Sequence, residues 1–479
     1  MPLLIHSGTL ITASETFQAD ILVEGERIAA VGKDLERLLP DGINSTRIDA
    51  SGKLIMPGGV DPHTHFALPM FGTISSDDHY TGHKAAAFGG TTTVIDFVSL
   101  DFPTLEESLA AWHAKASPLA AVDYGFHMNL TRLDSAIEAE IRRLPDWGIS
   151  SLKVFTAYNN RLRLRDDEIL RVMRTAGRYG LLTLLHAENG DVIELLTREA
   201  LAAGHTGPEW HARTRPAWGA VEASLRAVAL AAQAGSPLYL VHMNAAGEVD
   251  MLEYARQRNL PVMGETCPQY LFLTDELLSR PDGAKWVCSP PLRSPSDNAR
   301  LWQGLADGVL QVLATDHCPF FFDGRRPIPY EGKPVAIPGK ELGTDDFTRI
   351  PNGLPAVGDR LPILWTFGVG ARRITPNQFV ALTSTNPAKI FGLYPRKGTL
   401  VPGADADLVI WDPRRRLTYG VNTAQHRTDY NLFEGWELEG YPEKVFLRGR
   451  LLVDGERWLG KPGEGQFIQR RPGEVLATA

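Results

Sequence analysis

The chain has 479 residues, of which 43% are hydrophobic and 22% are charged, as is typical of a folded globular protein rather than a disordered chain. Its 57 acidic and 49 basic side chains give a formal net charge of −8, which argues against a nucleic-acid-binding surface. No uncharged apolar run is long enough to span a membrane, and the N-terminal stretch lacks the cationic region of a signal peptide.

Short β-rich segments occur at both ends of the chain. Residues 1–56 contain alternating or β-branched runs separated by turn residues, namely LLIHSGTLITA, DILVEGERIAAVG and TRIDASGKLIM. The same pattern returns after residue 396 in KGTLVPGADADLVIWDP and KVFLRGRLLVDGE. We therefore predict one small, β-sandwich-like domain made of residues 1–56 and 396–479, with the middle of the chain inserted between its halves.

The middle of the chain, residues 57–395, alternates apolar runs with stretches of helical apolar spacing such as TLEESLAAWHAKA and AVEASLRAVALAAQA. The strand candidates are 58–65, 91–98, 122–130, 150–158, 181–189, 237–245, 260–267 and 308–317. They are mostly apolar rather than alternating, as in parallel strands covered on both faces. Eight such strands with helical crossovers predict an α/β fold, the (β/α)8 TIM barrel. A doubly wound open sheet is the competing fold, but the chain has no GxGxxG motif or P-loop.

Side chains that can bind metals lie at the ends of these strands. His63 and His65 end the first strand, and their spacing of two residues points both to one side. His186, His242 and Asp316 lie near the ends of the fifth, sixth and eighth strands. Barrel active sites form at the carboxyl ends of the strands, so this pattern predicts a metal site. Nitrogen and oxygen ligands without a thiolate suit Zn2+, with Mn2+, Co2+ or Ni2+ as substitutes.

Lys153 is the unusual residue of this set, because it lies in the fourth strand, where a free ammonium group would be costly. Burial lowers the pKa of a lysine and leaves a nucleophilic amine. Such an amine can combine with CO2 to form a carbamate (N6-carboxylysine), which would supply the bridging anion that two metal ions need. For Lys153 taken alone, a Schiff-base lysine or an ion pair remains an alternative.

Several motifs together resemble one known family. They are DPHTH, GISSLKVFTAY, LLHAENGD, YLVHMN, GETCPQYL, CSPPLR, ATDHCPF, RIPNGLP and KGTLVPGADADLVI. The chain resembles the D-hydantoinase/dihydropyrimidinase branch of the cyclic amidohydrolases from about residue 3 to about residue 470. The resemblance implies a barrel enzyme with two metal ions, usually a homotetramer and otherwise a dimer. Such an enzyme opens 5,6-dihydropyrimidines and 5-substituted hydantoins to N-carbamoyl amino acids.

The resemblance also implies a role for each candidate ligand. His63 and His65 with Asp316 would hold the more buried metal ion. His186 and His242 would hold the other. Lys153, as carbamate, would bridge the two ions.

Further residues are implied to bind the substrate. Tyr158 would contact its carbonyl group, and Ser289 and Asn352 would bind the ring mainly through backbone groups. The lining of the pocket for the exocyclic substituent would be Leu68, Met70, Phe155 and Leu162. This apolar lining favours alkyl or aromatic 5-substituents.

The expected reaction uses a hydroxide that bridges the metal ions and attacks the ring amide carbonyl, since metals lower the pKa of bound water. Tyr158 would stabilise the tetrahedral oxyanion. Asp316 would accept the proton of the hydroxide and deliver it to the leaving ring nitrogen. The expected binding partners are therefore small cyclic ureide substrates. Binding to nucleic acid or to a membrane is not expected.

Alternative functions remain at this stage. Allantoinases share the metal-ligand set, and related non-enzymatic interaction proteins keep the barrel but lose metal ligands. Dihydroorotases usually carry an arginine shortly after the second histidine, where this chain has Ala67 and apolar neighbours.

Two segments depart from the family pattern. The loop at 159–163, Asn-Asn-Arg-Leu-Arg, is more cationic than expected and could alter substituent preference. The long, Pro/Gly-rich segment at 323–345 is either a lid or a surface excursion. Because it lies between Asp316 and Asn352, the assignment of Asn352 as a site residue rests on the PNG tripeptide alone.

The cysteines complete the sequence-based predictions. Cys267, Cys288 and Cys318 lack the spacing of a disulfide framework or a zinc motif, and each lies in or beside an apolar run. We expect buried free thiols. A reducing, cytoplasmic setting is the corresponding expectation.

Overall fold

Eight parallel strands form the centre of the fold in the computed structural model, which describes residues 2–39, 45–70, 72–324, 326–330 and 332–475. The barrel strands are β1 (Gly59–Thr64), β2 (Thr91–Val98), β3 (Asp123–Asn129), β4 (Ser151–Phe155), β5 (Leu182–His186), β6 (Leu238–Leu240), β7 (Val262–Thr266) and β8 (Val312–Leu313). Each strand pairs with the next in chain order. The barrel closes beyond β8, where the backbone N–H of His65 donates to the carbonyl of His317 at 2.7 Å. The predicted TIM barrel is confirmed, with every strand inside or overlapping its predicted range.

Helices connect the strands and cover the outside of the barrel. The α-helices are Thr81–Phe88, Leu105–Ala116, Ser135–Ile141, Asp166–Arg178, Gly190–Ala202, Glu209–Arg213, Ala217–Ala234, Ala246–Gln257, Pro268–Phe272, Pro295–Ala306, Arg360–Leu364, Pro376–Val380, Asn386–Ile390 and Val421–Ala424. The predicted helix at 104–116 begins with a capping box, in which the Thr104 side chain accepts from the Glu107 N–H. The predicted helix at 220–234 ends where Gly235 adopts a left-handed conformation with φ 63°. None of the helices in the described ranges is long and apolar enough to cross a lipid bilayer.

Strands from both ends of the chain form one further sheet of nine strands. Its strands are Leu3–Ile11, Thr16–Glu24, Arg27–Gly32, Thr46–Asp49, Leu54–Pro57, Leu408–Thr418, Glu437–Leu447, Arg450–Asp454 and Arg457–Trp458. The two chain ends join where Leu408–Thr418 pairs antiparallel with Leu54–Pro57. The predicted extra sheet of both termini is therefore confirmed, whereas the domain boundaries at 56/57 and 395/396 stay a prediction.

Two hairpins lie near the carboxyl end of the barrel. A short one pairs Pro69–Met70 with Thr73–Ile74, and a longer one pairs Arg326–Tyr330 with Lys333–Ile337. The longer hairpin belongs to the Pro/Gly-rich segment, and its apolar side chains pack in a small cluster with Ile74. After this hairpin, the buried ammonium group of Lys340 donates to the carbonyl of Val287 at 2.8 Å. The segment is therefore folded against the barrel in its described residues.

Candidate active site

The predicted metal ligands meet at the carboxyl end of the barrel. His63 is the penultimate residue of β1 and His65 follows the strand, while His186 is the last residue of β5. His242 and Asp316 follow the short strands β6 and β8. The backbone is left-handed at both of these residues, with φ 39° at His242 and φ 54° at Asp316. Such conformations cost roughly 1–3 kcal/mol in a residue other than glycine and tend to occur at functional sites.

The carboxylate of Asp316 lies between two imidazole rings. Its Oδ1 atom is 3.1 Å from Nε2 of His63 and 3.1 Å from Nε2 of His65. The Nζ atom of Lys153 is also 3.1 Å from Nε2 of His63. Four of the six predicted ligands therefore direct nitrogen or oxygen atoms at one point.

The other two predicted ligands adjoin this group. Nδ1 of His186 is 2.9 Å from Nε2 of His242. His63, His242 and Asp316 each offer a ligand atom, and these atoms all lie within 4.8 Å of one another. Nδ1 of His242 is buried and has no hydrogen-bond partner in the described part of the chain. This cluster of buried imidazole nitrogens around one carboxylate suits divalent cations.

Burial of Lys153 agrees with the sequence-based expectation. Its side chain is in the middle of β4, with Nζ 4.3 Å from the centre of the Phe97 ring. Burial lowers the pKa of this amine to about 8, although the charges of Asp316 and Glu265 act in the opposite direction. About a tenth of the Lys153 amine is therefore neutral and nucleophilic at pH 7, far more than for an exposed lysine.

The charge state of Asp316 follows from its neighbours. Burial by itself would raise the pKa of this carboxyl group, but the charge of His63 and hydrogen bonds from His63 and His65 outweigh burial. The pKa of Asp316 consequently lies well below its usual range. The carboxylate is therefore ionised near neutral pH.

Glu265, at the carboxyl end of β7, is a site residue that the sequence analysis did not identify. Its carboxylate forms a hydrogen bond with Nδ1 of His63 and accepts the backbone N–H of His242 at 3.2 Å. It also accepts the hydroxyl of Tyr239 at 2.9 Å. An acid that bonds the outer nitrogen of a metal-binding histidine fixes its tautomer and ring orientation. The motif GETCPQYL contains this residue, but only its place in the strand connects it with His63.

We expect Glu265→Gln to weaken metal binding about 10–100-fold, because the amide cannot hold the His63 ring as a carboxylate does. Titration of the metal-free protein with Zn2+ against a chromophoric chelator measures this affinity. Glu248→Gln is the matched control, since Glu248 is equally buried but accepts the backbone N–H groups of Asn244 and Ala245. Equal losses in both variants would show a general effect of burying an amide and would contradict the orienting role.

A cavity of about 380 Å3 opens above the ligand cluster. The predicted substrate-binding residues that line it are Leu68, Met70, Phe155, Tyr158, Leu162, Ser289 and Asn352. Other lining residues, which the sequence analysis did not place there, include Leu100, Asp101, Asn129, Arg161 and Cys318. The structure thus brings all the predicted substrate-binding residues to one cavity.

The polar side of the cavity is held by a short chain of hydrogen bonds. The amide of Asn352 donates to the hydroxyl of Ser289 at 3.0 Å, and that hydroxyl is 3.3 Å from Nε2 of His211. Burial first, and then the charge of Glu188, raise the pKa of Tyr158 well above its usual value. The phenol therefore stays protonated and can donate a hydrogen bond to an oxyanion.

The cysteine thiols are free and buried as expected, at Cys267, Cys288 and Cys318. Burial raises the pKa of the Cys318 thiol well above its usual value. A thiol in this state is a poor nucleophile. The cavity therefore offers the imidazole and carboxylate cluster, rather than a thiolate, for chemistry.

Comparison with known proteins places this geometry in a family. Residues 54–452 match the model described as the Amidohydrolase family. A D-hydantoinase of Geobacillus stearothermophilus is 44% identical over 474 residues, which cover 98% of this chain and 97% of that protein. The chain belongs to the D-hydantoinase/dihydropyrimidinase branch of the amidohydrolase family. The sequence-based recognition of this branch is confirmed.

Further members of this amidohydrolase branch match over the same length. A D-hydantoinase of Streptomyces coelicolor is 43% identical, with 98% of each chain covered. The crystal structure of the dihydropyrimidinase from Brevibacillus agri superposes with a TM-score of 0.93 at 43% identity, covering 99% of this chain and 100% of that chain. The overall fold is therefore shared with these relatives over nearly the whole chain.

Proposed function

We propose that this chain hydrolyses the cyclic amide bond of 5,6-dihydropyrimidines and 5-substituted hydantoins and releases N-carbamoyl amino acids. The observation that carries the proposal is the cluster that lines the cavity, in which His63 and His65 both contact the Asp316 carboxylate and Nζ of Lys153 lies 3.1 Å from Nε2 of His63. The supporting relatives are the proteins named D-hydantoinase and dihydropyrimidinase.

The metal centre is part of this proposal. His63, His65 and Asp316 would hold one divalent cation, and His186 with His242 would hold a second. Lys153 would join them as a carbamate formed with CO2. Zn2+ fits the nitrogen-rich ligand set, and Mn2+, Co2+ or Ni2+ are the substitutes. When bound, such ions supply Lewis acidity and a hydroxide at neutral pH.

The protein groups have distinct roles in the proposed reaction. Ser289 and Asn352 hold the ring in the cavity, and the Tyr158 hydroxyl donates to the carbonyl oxygen as it gains negative charge. The Asp316 carboxylate accepts a proton from the attacking group and returns it to the ring nitrogen as the C–N bond breaks. Apolar side chains at Leu68, Met70, Phe155 and Leu162 surround the 5-substituent.

Tyr158→Phe is expected to lower kcat about 10²–10³-fold, because one donor to the oxyanion is lost. Steady-state kinetics on dihydrouracil measure the effect. KM should change much less than kcat, since the hydrogen bond strengthens only as charge develops. A variant with unchanged kcat and raised KM would show that Tyr158 only binds the substrate.

The proposed substrate class is tested by ring-opening rates on dihydrouracil, both enantiomers of 5-phenylhydantoin, and allantoin, with chelator-treated protein as control. Opening of the first two substrates is the expected result, and loss of activity on chelation should accompany it. Allantoin as the fastest substrate by a wide margin would overturn the proposal in favour of an allantoinase. A chain without bound metal and without activity would instead be an interaction protein.

The assembly and location are proposed on the same family basis. A homotetramer, or otherwise a dimer, is expected by analogy with the branch, and sedimentation velocity tests it. A cytoplasmic location agrees with the free cysteine thiols and stays a prediction.

A further inference from the structure

A positively charged side chain, Arg161, lines the proposed substrate cavity. Arg161 is exposed and lines the cavity next to Leu162, which belongs to the apolar pocket for the 5-substituent. The proposed ring chemistry takes place at Asp316 and does not use this guanidinium group. Its position points instead to recognition of the substituent.

Hydrogen bonds tie the loop that carries Arg161 to itself and to the neighbouring helix. The carbonyl of Tyr158 accepts the backbone N–H groups of Arg161, Leu162 and Arg163 at 3.1, 3.0 and 3.3 Å. The side chain of Asn159, which precedes them, donates to the Asp191 carboxylate at 2.9 Å. Asp191 lies in the first turn of the helix Gly190–Ala202, so the loop is tied to the scaffold of the barrel.

The two arginines of this loop differ in their partners. Arg163 forms an ion pair with Asp191, outside the cavity. Arg161 forms no ion pair with any residue that the structure describes. The cavity also contains an exposed acid, Asp101, which lines an adjoining groove of about 680 Å3 as well. Among the described residues, Arg161 therefore offers a guanidinium group without an ion-pair partner in the cavity that Leu162 also lines.

We propose that Arg161 recognises a carboxylate at the end of a short 5-substituent, so that the chain opens 5-(carboxyalkyl)hydantoins in preference to neutral hydantoins of the same shape. The apolar side chains of Leu68, Met70 and Phe155 contact the alkyl part, and the guanidinium group pairs with the carboxylate beyond it. This inference rests on the proposed ring-opening function.

The test compares 5-(2-carboxyethyl)hydantoin with its neutral isostere, 5-(2-carbamoylethyl)hydantoin, as the ratio of their kcat/KM values. The wild-type chain should favour the acid, and Arg161→Gln should lower the ratio about 10-fold, as expected for loss of one hydrogen-bonded charge pair. The loss should appear in KM rather than kcat, because the contact is the same in the ground and transition states. Arg161→Glu should favour the amide, and raised salt should weaken the wild-type preference.

Arg163→Gln is the matched control, because it removes a positive charge two residues away that is already paired with Asp191. It should keep the wild-type ratio. An equal fall in both variants, or an unchanged ratio in Arg161→Gln, would overturn the inference while dihydrouracil is still opened. If dihydrouracil is not opened either, the proposed function itself fails.

Discussion

Replacing Asp316 with Asn should reduce kcat about 10²–10⁴-fold while most of the bound metal is retained. The amide has the same shape and keeps an oxygen that can ligate a cation, but it cannot accept a proton. In the present structure the Asp316 carboxylate lies 3.1 Å from the rings of both His63 and His65 and is ionised. Proton transfer is therefore the function that the substitution removes selectively. Rates on dihydrouracil and metal analysis of the same preparation measure the two quantities together.

Asp359→Asn is the control for placing an amide at a buried aspartate. Asp359 is fully buried away from the cavity, and accepts hydrogen bonds from Tyr419 and Asn431. Burial raises its pKa to about 7, so an uncharged side chain is tolerated there. Asp316→Asn with full metal and a rate within ten-fold of wild type would contradict proton transfer by Asp316. Loss of metal and activity together would assign it a ligand role only.

The barrel could be predicted from the sequence because its signals are local and repeated. Eight apolar runs of strand length alternate with amphipathic stretches. Parallel strands that are covered on both faces have such continuous apolar sequences. The histidines could be placed together for the same reason, since the carboxyl ends of barrel strands share one face. His186 and His242, 56 residues apart in the chain, are accordingly in contact.

Other parts of the site depend on contacts that no local pattern contains. Glu265 is one acidic residue among many in the sequence, and its importance appears only when β7 places it against His63. The sequence does not distinguish Arg161 from Arg163, because both are arginines of one loop. In the structure, Arg163 forms an ion pair with Asp191, whereas Arg161 lines the cavity. The hairpin pairing in the segment 323–345 and the contact of Lys340 with the Val287 carbonyl likewise could not be predicted from the Pro/Gly-rich composition of that segment.

Lys153→Met should abolish activity to the level of metal-free protein and lower the metal content per chain. Methionine fills a similar volume among Phe97 and Phe155 but cannot react with CO2. The wild-type amine is deeply buried, and burial lowers its pKa to about 8, which favours carbamate formation. Metal analysis and rates measure the loss, and a ¹³C carbamate resonance after preparation in labelled bicarbonate reports the modification.

Lys340→Met is the control that shows whether the carbamate resonance comes from Lys153 or from another buried lysine. Lys340 is also fully buried, and burial lowers its pKa to about 7, yet its ammonium group bonds only the Val287 carbonyl among the described hydrogen bonds. Nitrogen ligands and a carboxylate surround Lys153 instead, so cations can stabilise the carbamate there. The resonance should therefore persist in Lys340→Met and vanish in Lys153→Met. A resonance that follows Lys340, or its absence from the active wild-type protein, would remove Lys153 as the bridging ligand.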